Sequence, residues 1–226
     1  MGTTTIHKLD LRNEYRELYK PPSSHVVAVD VPELTYIAAD GRIESGTGPG
    51  DSEQFQSDTA AMYGVAYGLK FMSKLRTADP IDFGVMALEG LWSTESGQFD
   101  LADMERWSVF GTNEPWLYTL LIMQPDHITQ EMFEEAVTQA SERKPNASFA
   151  NMRLERWREG PAIQIIHVGP YSTEPATIAK MDRYAQEHGL TLTGRHHEIY
   201  LSDPRRAKPE NLKTILRHPI VDLPPV

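Results

Sequence analysis

The stretch AIQIIHVGPYSTEPATIAKMDRYAQEHGLTLTGRHHEIYL, residues 162–201, decides the fold. It predicts a strand at 162–168, a helix from about 173 to 188 that Gly189 ends, and a strand at 192–201. A further strand is expected at 212–218, because apolar residues continue there. The second half of the chain is therefore predicted to follow the order β-α-β-β.

The first half shows the same order. The pattern predicts strands at 26–29 and 34–37, a helix at about 53–75, and strands at 83–92 and 116–123. Half a sheet with one helix cannot bury its own apolar face, whereas two such halves can share a core. We therefore expect an α+β fold, in which duplicated β-α-β-β modules form a concave antiparallel sheet with helices on one face and a ligand groove on the other.

This duplication defines the expected domain organisation. Residues 1–24 are polar and form an N-terminal extension, and residues 25–226 form a single domain. Module one covers about 25–128 and module two about 150–226. The Glu-rich helix at about 129–144 connects them.

The composition restricts the classes of function. The chain has 226 residues, with 22 Lys and Arg, 32 Asp and Glu and no Cys, and its net charge is -10. The lack of Cys excludes disulfides, thiolate metal sites and cysteine nucleophiles. An acidic chain without a dense basic cluster repels phosphate backbones, so no nucleic-acid partner is expected. The longest apolar run, 116–123, is too short for a membrane helix, and we expect a cytoplasmic protein without a membrane partner.

Alternation along the strand at 192–201 divides its side chains into two sets. His196, Glu198 and Tyr200 share one face, because residues two apart in a strand point to the same side. His197 and Ile199 point to the other side, which suits a core covered by helices. Glu198 is thus a mid-strand carboxylate beside a histidine and a tyrosine. It is either a solvated glutamate on an exposed face or a functional carboxylate of the groove.

Glu89 occupies the corresponding place in the first half, within the stretch LEGLW at 88–92. The repeat makes Glu89 and Glu198 symmetry-related, so that both would approach the groove from opposite halves. One interpretation is a paired-carboxylate hydrolase. The other is a carboxylate fixed by Arg195, by Arg153 or by a backbone turn.

Aromatic residues are the second signal for the groove. Trp116 and Tyr118 lie two apart on one strand and make a platform for a planar ligand. The adjacent His196 and His197 point to opposite faces of their strand and cannot both bind one ion without a bulge. Neither a metal nor another cofactor is therefore expected.

Six stretches of the sequence resemble a known family. They are VDVP at 29–32, YGLKF at 67–71, MALEGLW at 86–92, IMQPD at 122–126, HVGPY at 167–171 and EIYLSDP at 198–204. In this order, and over nearly the whole chain, they resemble the GyrI-like small-molecule-binding proteins. The resemblance implies two β-α-β-β modules that form a concave sheet with a ligand groove, in agreement with the duplication.

The resemblance also implies an activity. Stand-alone members closest to this pattern look like cyclopropyl hydrolases of cyclopropanoid DNA-alkylating natural products, which give self-protection or detoxification. On this basis Glu198 and Tyr118 are the expected catalytic residues. The expected substrate-binding residues are Trp92, Trp116, Tyr200, Tyr67, Glu89 and His196. The chain departs from those members at Trp92-Ser93, where they have Trp-Trp, and at Trp116-Leu117-Tyr118, where they have Trp-x-Trp.

Two other functions stay open at this point. The groove of a non-catalytic binder would sequester planar aromatic or cationic drugs, with Glu198 as a counter-charge. A docking module would instead bind another macromolecule, such as gyrase. For the hydrolase and for the binder alike, the expected partner is a planar hydrophobic small molecule.

Overall fold

The computed structural model describes residues 5–96, 114–145 and 147–222. Within these ranges the chain forms nine strands and five α-helices. Their order is β1 His7–Leu9, α1 Leu11–Glu14, α2 Arg16–Tyr19, β2 Val27–Ile43, α3 Glu53–Leu75, β3 Ile81–Phe83, β4 Leu88–Thr94, β5 Trp116–Gln124, α4 Gln130–Arg143, β6 Met152–Val168, α5 Pro175–Glu187, β7 Leu190–Leu192, β8 His196–Tyr200 and β9 Lys213–Asp222. Short 3₁₀ turns lie at Tyr171–Thr173 and Pro209–Asn211.

The predicted duplication is confirmed. The first unit consists of β2, α3, β4 and β5, and the second of β6, α5, β8 and β9. Within each unit the third strand lies between the first two, and antiparallel pairs β2–β6 and β4–β8 join the units. The α+β class and the duplicated, antiparallel sheet therefore agree with the sequence analysis.

The sheet curves further than a concave layer and closes into a barrel. Strand β6 pairs with β2 on one side and with β9 on the other, so the ring runs β6-β2-β5-β4-β8-β9. Strands β2 and β6 have 17 residues each, which lets each of them pair with two partners along its length. The two short strands expected at 26–29 and 34–37 are parts of the single strand β2.

The helices of the two units, α3 and α5, pack on the outside of this barrel. Ser52 caps α3, since its side chain accepts a hydrogen bond from the backbone N–H of Phe55. Met62, Ala66 and Leu69 of this helix are buried, whereas Tyr67 and Phe71 are half exposed. Helix α5 covers a separate apolar cluster in the second unit. The residues of that cluster are Val26, Ile163, Ile165, Ile178, Met181, Ala185, Leu216 and Ile220. This cluster forms because apolar residues recur at helical spacing along α5 and pack against the outer side of the strands.

Charged residues cross the barrel interior. His197 lies between two carboxylates, with its Nε2 2.9 Å from Glu89 and its Nδ1 3.0 Å from Glu159. Arg217 adds a second cation, because its guanidinium donates to Glu159 over 3.2 Å. These four side chains are almost completely buried. Two carboxylates and two cationic side chains thus lie together, and their mutual attraction offsets the cost of removing their charges from water.

The N-terminal segment closes one end of the interior. Tyr19 of α2 donates its hydroxyl hydrogen to Glu89 over 2.6 Å. Arg217 donates to the backbone carbonyl of Leu18 over 2.8 Å, and Gln164 donates to that of Glu17 over 2.6 Å. The predicted extension thus supplies partners to the buried charges. None of the helices described is long and apolar enough to cross a membrane.

Strand alternation produces the two side-chain sets that the sequence predicts. The set with Glu198, rather than the set with His197, faces the side of the barrel on which α3 and α5 pack. The set with His197 faces the closed interior. Because the sheet is a closed ring, space for a ligand lies between the helices on its outer side.

Candidate functional site

A pocket of about 1990 Å³ opens between α3 and α5 on the outer side of the barrel. Strands β4, β5 and β8 supply its floor, with Trp92, Trp116, His196, Glu198 and Tyr200. The wall on the side of α3 carries aromatic rings, and the opposite wall comes from the start of α5. The wall residues that matter below are Phe55, Tyr63, Tyr67, Tyr171, Glu174 and Ile178.

Glu198 lies in the middle of this floor. It pairs with Gly90 of β4 on one side and with Leu216 of β9 on the other. A Cβ atom at Gly90 would lie 2.7 Å from Nε1 of Trp92 and 3.1 Å from the hydroxyl of Tyr200, so only glycine fits this position. The missing side chain leaves room for the contact between Trp92 and Tyr200 beside Glu198. The carboxylate keeps 18% of its side-chain surface exposed, toward the pocket.

Neighbours on the same strand orient Glu198. The hydroxyl of Tyr200 lies beside Glu198 and accepts a hydrogen bond of 2.9 Å from Nε1 of Trp92. Burial raises the pKa of Tyr200 well above 10, and the charge of Glu198 adds to the rise. Nε2 of His196 lies 3.6 Å from the carboxylate. Glu198 is therefore held by polar groups while one side remains open to a ligand.

A second carboxyl group, that of Glu174, lies in the same pocket. Glu174 is the residue before α5, and 7% of its surface is exposed. Burial is the main cause that raises its pKa, the charge of Glu198 is the second, and together they bring it to about 10. At neutral pH Glu174 is thus a neutral carboxylic acid that lines the pocket with Glu198.

The aromatic rings of the pocket form a continuous group. Phe55 stacks on Trp92 with a centroid distance of 5.6 Å and an interplanar angle of 29°. Trp116 meets Trp92 edge to face, with centroids 6.4 Å apart. Tyr67 on α3 is half exposed at the edge of the pocket. These rings give flat apolar contact area of the kind that planar ligands bind.

The structure separates Tyr118 from the pocket. Tyr118 shares a strand face with Trp116, as alternation predicts, but it lies beneath α3 and is 1% exposed. Its hydroxyl donates to Asp58 of that helix over 2.7 Å. A phenol buried against a carboxylate of its own chain does not reach a ligand. Tyr118 instead fixes α3 to β5.

Glu89 also lies apart from the pocket. It is completely buried in the barrel interior and contacts Tyr19 and His197. The repeat does not bring Glu89 beside Glu198, because the two residues occupy opposite faces of the sheet: Gly90, not Glu89, is the register partner of Glu198. The other expected binding residues, Trp92, Trp116, Tyr200, Tyr67 and His196, line the pocket with Glu198.

Sequence reasoning missed Glu174, Phe55 and Tyr171. Glu174 lies between a 3₁₀ turn and α5, where a glutamate is an ordinary helix-start residue. Phe55 follows the helical spacing of the core face. The single available signal was HVGPY at 167–171, a tight turn that delivers Tyr171 and the next residues to the strand ends.

Comparisons with known proteins agree with this geometry. The model of the GyrI-like small molecule binding domain matches residues 123–221. A crystal structure of an uncharacterized conserved protein from Listeria innocua is 36% identical, with 94% of this chain and 100% of that chain covered and a TM-score of 0.80.

Two further Listeria innocua structures are described as hydrolases. One is 34% identical, covers 94% of this chain and 100% of its own, and has a TM-score of 0.76. The other is 35% identical, covers 95% of this chain and 100% of its own, and has a TM-score of 0.77. No curated protein matches the chain.

Proposed function

This chain belongs to the family of GyrI-like small-molecule-binding proteins, and we propose that it is a hydrolase that opens the cyclopropane ring of cyclopropanoid DNA-alkylating compounds. Such an activity would serve self-protection or detoxification. Two relatives described as hydrolases, at 34% and 35% identity over almost the whole chain, support a catalytic role. The choice of substrate rests on the sequence resemblance and on the chemistry of the pocket.

The observation that carries the proposal is the environment of Glu198. It is a carboxylate in the middle of an aromatic floor, it is oriented by Tyr200 and it remains open to the pocket. A carboxylate held in this way can accept a proton from a water molecule placed between it and a ligand. A solvated surface glutamate would have neither the aromatic surroundings nor the neighbouring acid.

The proposed reaction adds one water across a carbon–carbon bond. Glu198 takes a proton from the water, whose oxygen bonds to the ring methylene. The bond between that methylene and the spiro carbon breaks, and its electron pair moves into the conjugated dienone. The carbonyl oxygen gains the negative charge, accepts a proton and becomes a phenol. Trp92 and Trp116 hold the planar ring system, so that placement supplies a large part of the rate.

The first experiment measures the product. We expect purified protein, incubated with a spirocyclopropane dienone, to convert it into a phenol that has gained the mass of one water. Loss of the dienone absorbance gives the rate, and mass analysis identifies the product. Recovery of intact ligand with quenched tryptophan fluorescence would overturn the hydrolase and favour a sequestering protein.

A further inference from the structure

Glu174 is placed as a partner for an oxygen atom of the ligand. Its carboxyl group is more than nine-tenths buried and lines the pocket. Among the residues that the structure describes, its Oε1 atom has no hydrogen-bond partner. A buried polar atom without a partner is costly, and proteins keep such atoms where a ligand or a reaction needs them.

Burial and the charge of Glu198 keep Glu174 neutral at physiological pH. Burial and the charge of Glu198 raise its pKa to about 10, against a small opposite effect of a hydrogen bond with Thr214 of β9. Tyr171 of the 3₁₀ turn interacts with the charges of Glu198, Glu174 and Asp203. Around Glu198 lie His196 and Tyr200 of β8 and His167 of β6, and His167 also interacts with the charge of Lys180. Burial and the charge of Glu198 raise the pKa of Tyr171 to about 12, so this phenol keeps its proton as well.

We propose that Glu174 is the proton donor of the reaction and that its carboxyl hydrogen binds the carbonyl oxygen of the ligand. This inference rests on the proposed hydrolase function and identifies the group that gives a proton to the carbonyl oxygen of the ligand. As Glu198 takes a proton from water, Glu174 gives its own proton to the oxygen that becomes the phenol. Glu198 is then the neutral acid, Glu174 is the carboxylate, and transfer of one proton between them restores the starting state.

The tyrosines in and near the pocket are less suited to this role. The hydroxyl of Tyr200 lies beside Glu198 and already accepts a hydrogen bond from Trp92. Tyr118 donates to Asp58 beneath α3. Glu174 is also the stronger acid, because its pKa of about 10 lies below that of about 12 for Tyr171.

The pair defines the class of ligand. A neutral acid donates to a carbonyl oxygen without losing its proton on binding, and the aromatic rings favour a flat apolar body. The substrate class is therefore an uncharged, planar compound whose carbonyl is conjugated to an electrophilic carbon. A cationic ligand would instead displace the proton of Glu174, and binding would release a proton to the buffer.

The test compares Glu174→Gln with wild type and with Glu187→Gln, an exposed residue of the same helix. We expect Glu174→Gln to bind a spirocyclopropane dienone with an affinity within about threefold of wild type and to lose turnover by at least about a hundredfold, the usual lower limit for a general acid. Glu174→Asp retains an acid and should keep more turnover than Glu174→Gln. Glu187→Gln should match wild type.

The pH profile gives a second readout. Wild-type turnover should fall as the pH approaches the pKa of Glu174, near 10, whereas the residual turnover of Glu174→Gln should lack this alkaline limb. Hydrated product formed equally fast by Glu174→Gln and wild type would overturn the donor role alone. Intact ligand after incubation with wild type would overturn the hydrolase, and the donor role with it.

Discussion

The indole nitrogen of Trp92 donates a hydrogen bond to the hydroxyl of Tyr200 over 2.9 Å, and this contact joins β4 to β8 across the pocket floor. It links the aromatic surface that would hold a planar ligand to the residue that orients Glu198. The same hydroxyl thus serves both the binding surface and the candidate base. Gly90 makes the contact possible, because any larger residue would press on both partners.

Tyr200→Phe should therefore impair stability and turnover together. The substitution leaves the N–H of Trp92 without its partner, and we expect unfolding free energy to fall by about 1–3 kcal/mol. Turnover should fall by roughly tenfold, because Glu198 loses the group that orients it. Chemical denaturation and the dienone assay measure the two effects. Tyr184→Phe, whose ring stacks on His188 outside the pocket, is the control and should change neither.

Glu198→Gln separates binding from chemistry. The amide keeps the size of the side chain but cannot take a proton from water. We expect ligand binding, measured by tryptophan quenching, to persist and turnover to fall by at least about a hundredfold. Glu210→Gln, at an exposed position, controls for the loss of one negative charge. Unchanged turnover in Glu198→Gln would remove this carboxylate from the mechanism.

The local pattern of the sequence was enough to predict most of the fold. Helix α3 has the predicted bounds because its apolar spacing and its cap are local features. Strand alternation alone predicts that one face of β8 carries His196, Glu198 and Tyr200. Closure of the barrel was not predictable in this way, since the β6–β9 pairing depends on curvature accumulated over several strands.

The site was harder to predict than the fold for a related reason. Alternation divides a strand into two sets but does not say which set faces an enclosed interior, and so Glu89 was assigned to the groove although it lies inside the barrel. Glu174 and Glu198 are 24 positions apart and line the same pocket because α5 packs across β6 and β9. No spacing rule for helices or strands connects such a pair.

Gly41→Ala should destabilise the wall of the pocket. Gly41 lies opposite Tyr118 in the register of β2 and β5, and a Cβ atom there would overlap the phenol ring. The ring cannot move freely, because Asp58 holds its hydroxyl and Phe55 packs on it edge to face. We expect a loss of about 1–3 kcal/mol in unfolding free energy.

Gly50→Ala is the matched control for this substitution. A Cβ atom at Gly50 would meet no atom within 4 Å, and the residue does not have the positive φ that favours glycine. The melting temperature of Gly50→Ala should therefore equal that of wild type. Equal stability of Gly41→Ala and Gly50→Ala would show that Tyr118 is not held as firmly as its contacts indicate.

The barrel interior predicts how stability depends on pH. Burial lowers the pKa of His197, but Glu159 and Glu89 outweigh this effect and raise it. The stability that His197 contributes is thus complete below its unfolded pKa of about 6.5 and is lost as the pH rises through its folded pKa. Burial raises the pKa of Glu159, but the interactions with His197 and Arg217 outweigh burial and lower this pKa to about 2. The stability that Glu159 contributes is therefore present above pH 4.5 or about that value and is lost toward pH 2.

His197→Gln tests this interior network. It leaves two buried carboxylates with Arg217 as their remaining cation, and we expect unfolding free energy to fall by about 3–5 kcal/mol near pH 6. The deficit should shrink as the pH rises through the folded pKa of His197, because wild type loses the charge as well. His25→Gln, at an exposed position, should show no such trend in denaturation curves across this range.

Glu174→Gln should stabilise the fold, in contrast to the other substitutions. The folded pKa of Glu174 is raised from 4.5 to about 10, so its contribution to stability is complete below pH 4.5 and is lost as the pH rises toward 10. Glutamine stays neutral in both states and avoids this loss. At pH 7 the unfolding free energy of the variant should exceed that of wild type by up to about 3.5 kcal/mol, at about 1.4 kcal/mol for each pH unit above 4.5.

The size of this advantage should follow the pH. Denaturant unfolding should be measured at about four evenly spaced values, pH 4, 5.5, 7 and 8.5. The stability advantage of Glu174→Gln over wild type should vanish at the lowest pH and grow at each step. Glu187→Gln removes a charge from the exposed end of the same helix and should give a difference that does not change with pH. A constant difference for Glu174→Gln would mean that this carboxyl is ionised in the fold, and Glu198 would then have no neutral acid beside it.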